Sequence, residues 1–433
     1  MKFLEKSLDT IKILIRMGAK IPMNSCYRIR PHINTSAWGG KSFIPGLFHI
    51  DNRARTPHAE AWLGTHKDGP STVSMSDQSP VLLGELIASE PRRFLGNEAI
   101  GKFGPVLPYL LKVLDAEEIL SIQVHPSKQQ AEEGFAREDL TKPVKERTYK
   151  DGNHKPEMHV PLTDFFMLHS FRPDEEIHKV LTEIGEFKPL VHLFENQRLE
   201  GLYKEIMTMD QDEVDGILDP LIRRLTPKFD GGQLNMDSNG YWACKAAKIH
   251  SLSGGHFDRG LFSVFLMNLL HLKPGQGTFQ PARVPHSYLF GTTIELMAQS
   301  DNTLRAGLTP KKVDVPELLN VIDFSWRKPQ ILSGVTSMSE CGEETVYPSP
   351  MEEAVLSRIT VENGFHHVKG PHSFDTLVVL EGEGMIHCFG AEAQRFERGD
   401  CFGITAYEPS FISSIPGRSV LYRASTQIPK RSY

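Results

Sequence analysis

Hydrophobic periodicity changes twice along this chain, and the order of the changes restricts the folds open to it. From about residue 21 to 172, short apolar runs such as Ile119-Leu120 and Ile122–Val124 are punctuated by Pro and Gly, the pattern of strands and turns. At Asp174 the spacing becomes helical. Ile177, Val180, Leu181 and Ile184 share a face, as do Leu199, Leu202, Tyr203 and Ile206, then Val214, Ile217, Leu218, Leu221, Ile222 and Leu225. Strand character resumes near Gly260, where LFSVFLMNLLHL reads as a buried strand ending at the Lys273-Pro274-Gly275 turn. Asp314-x-Pro316 opens a short helix reaching Phe324. From about Val355 the text is strands again, with Gly at 364, 370, 382, 384, 390 and 399. A doubly wound sheet needs repeating βαβ alternation. This order instead predicts a mainly β protein, two barrels with a helical insert.

Four segments follow from that reading: an amphipathic N-terminal helix over 1–20, a barrel from 21–173 and 255–325, a helical subdomain over 174–254, and a second barrel over 326–433. The first segment resembles a signal peptide only superficially. Its longest apolar run is Ile13-Leu14-Ile15, flanked by Lys12 and Arg16, whereas a signal needs roughly 7–15 uninterrupted apolar residues. No apolar stretch approaches the ~18 residues of a membrane span. Five cysteines, an odd number without CxxC spacing, fit a reduced compartment. Lys plus Arg number 48 against 54 Asp plus Glu, a net charge of −6, which lacks the basic excess of a nucleic-acid binder. The expectation is a cytoplasmic, monomeric protein that engages neither membrane nor nucleic acid.

Two nucleotide motifs fail on inspection. Gly39-Gly40-Lys41-Ser42 imitates a P-loop, but Thr35 stands where the leading Gly is required. Gly382-Glu383-Gly384 lacks the third Gly of a dinucleotide fingerprint. There is no HExxH helix and no GxSxG elbow.

Three other segments carry chemistry. In Leu120–Pro126 strand alternation puts Ser121, Gln123 and His125 on one face and the aliphatic residues on the other. In Asn153–His159 the same parity pairs Lys155 with Glu157, and Val284–Tyr288 places His286 behind a proline. Singly, each is as readily a surface or packing feature. Together they supply an amide oxygen, imidazoles and a carboxylate without thiolate, a set suited to a divalent ion such as zinc. A fourth segment, Ser300–Lys311, places Arg305 and Lys311 across a Gly-containing turn, enough to hold a phosphate or to form an ordinary solvated loop.

SIQVHP, DGNHKPEM, LKPGQGTFQPARVPHSYL, IELMAQSDNTLRAGLTPK and AWLGTHKDGPS occur in an order and spacing that resemble type I phosphomannose isomerase. The resemblance covers roughly residues 27 to 325. It implies a zinc-dependent aldose–ketose isomerase on cupin-type (jelly-roll) barrels with a helical domain. It implies one zinc per chain, held by Gln123, His125, Glu157 and His286, and an active-site arginine at Arg305. Trp38, Lys112, Ser121, Lys155 and Lys311 fall on positions that line the sugar-phosphate pocket, while Trp62 and His66 sit in a motif read as structural. Three departures stand out: about twenty extra residues at the N-terminus, Lys67 after His66 where the family has Pro, and Ser287 where Ala is common. The C-terminal third resembles a second cupin barrel only generically, and His366, His367 and His372 lack a carboxylate set that would make them a metal site.

The implied reaction interconverts mannose 6-phosphate and fructose 6-phosphate through a cis-enediol. It needs a group that moves a proton between C2 and C1. Glu295, Asp301, Lys155 and His154 are the candidates, with Glu295 preferred for its place in the strand after His286. A cupin oxygenase would share the His/Glu set but has no need of Arg305 and Lys311. A sugar-binding cupin would tolerate loss of the ligands. A fused sugar-nucleotide pyrophosphorylase would need a Gly-rich loop that this chain lacks.

Overall fold

The computed structural model describes residues 25–75, 78–368, 373–388, 391–415 and 417–427. The N-terminal helix expected over 1–20, and His372, lie outside them. Among the described residues the chain forms sheets of nine, ten and four strands around three strand-lined cores, with a helical cluster against one side.

The ten-stranded assembly has an alternation that runs opposite to that of an ordinary surface sheet. Along Tyr109–Ala116, Tyr109, Leu111 and Val113 pack outward into a shared core, while Leu110, Lys112 and Leu114 line an internal cavity. Strand Glu60–Leu63 does the same, Ala61 and Leu63 outward, Glu60 and Trp62 inward. So does Glu157–Pro161, with Met158 and Val160 outward and Glu157 inward. These strands pack their apolar outer faces on the nine-stranded sheet, against Leu356, Val378, Tyr422 and Ala424. On the other side, Ile122, Val124, Phe166, Leu168 and Leu304 pack on the helices. Both outer faces of this barrel are therefore covered, and its polar side chains have only the interior left to occupy.

The helices of the insert are Asp174–Glu183, Lys188–Thr208, Gln211–Asp230 and Asn239–Ile249, followed by Gly260–Leu266; the stretch expected to be strands and turns also contains helices, Leu83–Ser89, Pro91–Leu95, Asn97–Phe103 and Lys128–Thr141 among them. Gly260–Leu266 is a further correction: LFSVFLMNLLHL is helix over Gly260–Leu266 and strand only from Met267 to Leu272. Every residue of that helix is buried, and a fully buried apolar run gives no periodicity by which to tell helix from strand. The short helix that Asp314 opens is Val315–Val321, its N-terminus capped by the Asp314 carboxylate, which accepts from the Glu317 N–H at 3.3 Å.

The nine-stranded sheet does not follow the division drawn at residue 326. Strands Cys26–Arg30, Thr72–Met75 and Gln78–Leu82 belong to it, with Cys26–Arg30 antiparallel to Cys401–Ile404. One face of its C-terminal strands closes on the four-stranded sheet over Ile359, Leu377, Val379, Phe402 and Leu421, so this second barrel is filled by side chains. At one end sits a buried ionic cluster. Arg423 donates to Asp375 Oδ2 at 2.6 Å and Glu344 Oε1 at 3.1 Å, and Ser357 Oγ donates to Glu344 at 2.7 Å.

Removing one partner of such a cluster leaves buried charge unmatched, a loss of about 3–5 kcal/mol, whereas exposed pairs are worth about 0–1. Arg423→Met should therefore lower unfolding stability by several kcal/mol, and Arg418→Met, which breaks the exposed pair to Glu381, by less than about 1. Equal losses in denaturant titrations of the two would overturn this account. Burial opposes ionisation of Glu344, but His366, Arg423 and Ser357 bring its carboxyl down to about 2 from 4.5. A depressed carboxylate stabilises the fold above its unfolded pKa, so this contribution should be complete above about pH 5 and fade as pH falls toward 2. Burial raises the Asp375 carboxyl, which offsets part of that gain.

Candidate active site

One strand, His286–Ala298, organises the cavity. Its register puts His286 opposite Gln123, Glu295 opposite both Lys112 and His159, and Met297 opposite Glu157. Gln123 in turn pairs with Arg305 across the next strand. Strict alternation would send His286 and Glu295 to opposite faces. A register shift between Tyr288 and Phe290 reverses the parity, so that the Tyr288 hydroxyl meets Glu295 Oε1 at 3.1 Å. Gly291 next to it has φ +114°, and a Cβ there would lie 2.3 Å from the Asp164 carbonyl oxygen. Only glycine fits this close crossing.

The cavity has a volume of about 700 Å³. Trp38, Lys112, Ser121, Gln123 and Lys155 line it, as do Glu157, Glu295, Asp301, Arg305 and Lys311. His125 and His286 lie behind Glu157, each 2% exposed. Twelve of the thirteen candidate site residues thus converge on one place. Trp62 and His66, read as structural, line the cavity as well. His154 does not: it lines a neighbouring cavity, its Nε2 2.6 Å from Glu353 Oε1.

His125 Nδ1 lies 2.7 Å from the Asn302 carbonyl oxygen and His286 Nδ1 3.1 Å from that of Val284. A carbonyl only accepts, so both Nδ1 atoms carry the ring proton. That leaves two bare Nε2 atoms facing the Glu157 carboxylate, at 3.3 Å from Oε1 and 3.4 Å from Oε2. The His125 Nε2 is buried without a hydrogen-bond partner. Burial and the Lys155 ammonium push the His125 pKa down to about 4, which keeps its lone pair available. Three lone-pair donors within 4.8 Å of one another, with no proton between them, fit a cation. Nitrogen and oxygen donors without sulfur suit zinc. Asn302, fully buried, fixes the ring from behind and accepts from the Lys150 N–H while its amide binds the Asp151 and Asn153 carbonyls.

Beside this triad the carboxylates are held ionised by cations. Burial disfavours the Glu157 anion, but the Lys155 ammonium outweighs it and lowers its pKa well below the usual range. Lys155 Nζ lies 3.1 Å from Glu157 Oε1. Lys112 bridges Glu295 Oε2 at 2.7 Å and Glu60 Oε1 at 3.1 Å; burial opposes its charge, and the two carboxylates raise its pKa regardless. The same lysine lowers Glu295 against the effect of burial. Tyr288, missed in the sequence, places its hydroxyl 2.9 Å from Glu157 Oε2 and 2.7 Å from His159 Nε2. Asp301 is committed on both oxygens, to His66 Nε2 at 2.7 Å and Lys67 Nζ at 3.0 Å, and these contacts depress its carboxyl despite burial. Arg305 and Lys311 differ: among the described residues neither has a carboxylate partner. Burial lowers the Arg305 pKa, and the neighbouring Arg305 charge lowers that of Lys311. Two uncompensated cations at a cavity wall are a receptor for an anion.

The family profile described as "Phosphomannose isomerase type I, catalytic domain" matches residues 26–174. Mannose-6-phosphate isomerase of Escherichia coli (strain K12) is 35% identical over 390 residues, covering 88% of this chain and 93% of that protein. The chain belongs to the type I phosphomannose isomerase family. The Mus musculus mannose-6-phosphate isomerase is 37% identical over 391 residues, 85% of this chain and 89% of its own. Among solved structures, a substituted phosphomannose isomerase from Salmonella typhimurium superposes with a TM-score of 0.81 at 30% identity, covering 93% of this chain and 100% of the other. A mannose 6-phosphate isomerase bound with zinc and yttrium matches with the same score, identity and coverage. The cupin-type barrels expected from the motifs are thus the fold of this phosphomannose isomerase family member. Among the described residues no helix is long and apolar enough to cross a membrane.

Proposed function

We propose that the protein is a cytoplasmic, monomeric mannose-6-phosphate isomerase that interconverts D-mannose 6-phosphate and D-fructose 6-phosphate with one zinc ion per chain. The observation that carries this reading is the juxtaposition in one cavity of a proton-free His125/Glu157/His286 triad with two unpaired cations, Arg305 and Lys311. A sugar phosphate presents both matching parts, vicinal oxygens and a dianion.

Gln123, His125, Glu157 and His286 would hold the zinc, which when bound polarises carbonyl and hydroxyl oxygens, a Lewis-acid role worth several kcal/mol. The rest falls to side chains. Lys311 and Arg305 bind the phosphate or brace the developing enediolate, each charge-assisted contact contributing roughly 1.5–3 kcal/mol. Glu295, 2% exposed and kept ionised by Lys112, takes the proton from C2 and returns it to C1. Lys155 and Asp301 orient substrate oxygens, with Trp38 and Ser121 completing the wall. Formation of fructose 6-phosphate from mannose 6-phosphate should be lost in chelator and restored by zinc. Zinc-loaded protein that forms none would overturn the assignment.

A further inference from the structure

A second cavity, of about 510 Å³, lies on the far side of Arg305. It shares Thr303 and Arg305 with the catalytic cavity, and its remaining lining is strongly basic. Lys142, Lys145, Arg147, Lys150 and Lys312 surround it, against two carboxylates, Glu146 and Asp314. This concentration stands out in a chain whose net charge is −6.

The charges on this wall are not all spoken for. Lys142 pairs with Glu138 at 2.7 Å and Arg147 with Asp139 at 2.6 Å. Asp314 accepts from the Glu317 N–H and the Thr148 hydroxyl, which leaves its charge, like that of Glu146, as a partial offset to the cations. The Lys150 ammonium donates to the Arg147 carbonyl oxygen, which cancels no charge. Lys145, Lys312 and Arg305 have no carboxylate partner among the described residues. The loop is nevertheless built firmly. The buried Glu138 carboxylate accepts from the Thr148 and Tyr149 N–H groups at 2.7 and 2.9 Å, and the Tyr149 hydroxyl donates to Glu317 at 2.8 Å. The wall therefore carries an excess of positive charge, on exposed Lys145, Lys150 and Lys312 and half-buried Arg305, that an anion would offset.

We infer that this cavity is a second anion site, outside the catalytic one, which takes a phosphate dianion and shares Arg305 with it. The planar guanidinium has donors on more than one edge and serves two oxyanions where an ammonium serves one point. The phosphate is either free or carried by a second sugar phosphate. The inference rests on the isomerase reading only in assigning the inner cavity to substrate.

Equilibrium dialysis of the zinc-loaded full chain against labelled inorganic phosphate at low ionic strength tests it. The wild type should bind two per chain. The Lys145→Gln/Lys312→Gln double variant should bind one tightly and the other roughly tenfold or more weakly. Its kcat with mannose 6-phosphate should stay within about twofold, because neither lysine lines the catalytic cavity. Labelled fructose 6-phosphate identifies the source: two bound per wild-type chain and one per variant assign the outer site to sugar phosphate, and one in both assigns it to free phosphate. A single phosphate per wild-type chain, or two held with unchanged affinity by the variant, would overturn the inference. Counting bound phosphate needs no turnover, so that failure leaves the isomerase assignment standing.

Discussion

Glu157→Gln should lose its metal and its activity together. Glu157 is the only anion among the four proposed ligands, and its two oxygens face His125 and His286 separately. Glutamine keeps the size but turns one oxygen into an NH₂ group, a donor aimed where a lone pair is required. Loss of a group that merely supports a ligand weakens metal binding 10–100-fold, so loss of the charged ligand should exceed about 100-fold. Activity should fall by roughly 10³-fold or more, the several kcal/mol that Lewis-acid polarisation supplies. The substitution also leaves Lys155, whose side chain is 11% exposed, without its carboxylate. Circular dichroism and a thermal melt are therefore needed to confirm that the variant folds. Metal content by plasma emission and turnover of mannose 6-phosphate then decide. A folded variant with full zinc and normal turnover would remove Glu157 from the metal site.

The parts of this site that were legible in the sequence are those fixed by local alternation. Ser121 and Gln123 share a face because a strand has period two, and the same parity joins Lys155 to Glu157 while turning His154 toward Glu353 on the other side. What was not legible depends on a single irregularity or on distant pairing. The parity reversal after Tyr288 is a register shift, and it brings Tyr288 and His159 against two carboxylates. Asn302 orients His125 through its backbone carbonyl, which side-chain chemistry cannot announce. Strand Cys26–Arg30 falls in the stretch read as strands and turns, but its partner Cys401–Ile404 lies about 375 residues away. The buried helix Gly260–Leu266 was misread because every one of its residues is covered and no polar face marks its period. Local pattern thus gave the type of many elements and placed candidate donor side chains on shared faces, whereas long-range register decided how they meet.

Arg305 and Lys311 should separate chemistry from binding. Arg305 is half-buried on the strand paired with Gln123, close to the proposed metal ligands. Lys311 lies six residues on, at the same cavity. If the guanidinium braces charge that develops only in the enediolate, Arg305→Lys should lower kcat more than it raises KM, since an ammonium lacks the planar fork. Lys311→Ala should mainly raise KM, because a phosphate remote from C1 and C2 is held alike in ground and transition states. Each lost contact, at about 1.5–3 kcal/mol, corresponds to roughly ten- to hundredfold in kcat/KM. Lys311→Ala should carry a second signature. The Arg305 charge lowers the Lys311 pKa, so the two cations repel, and removing one relieves the other. The variant should therefore lose less than the full value of an isolated contact, and the Arg305→Lys/Lys311→Ala double variant should lose more than the sum of the singles once a single ammonium remains for the dianion. Steady-state kinetics at matched zinc occupancy measure all three. An Arg305→Lys enzyme with unchanged kcat and a raised KM would reduce Arg305 to a binding residue and move the burden of enediolate stabilisation to Lys155 and Lys112.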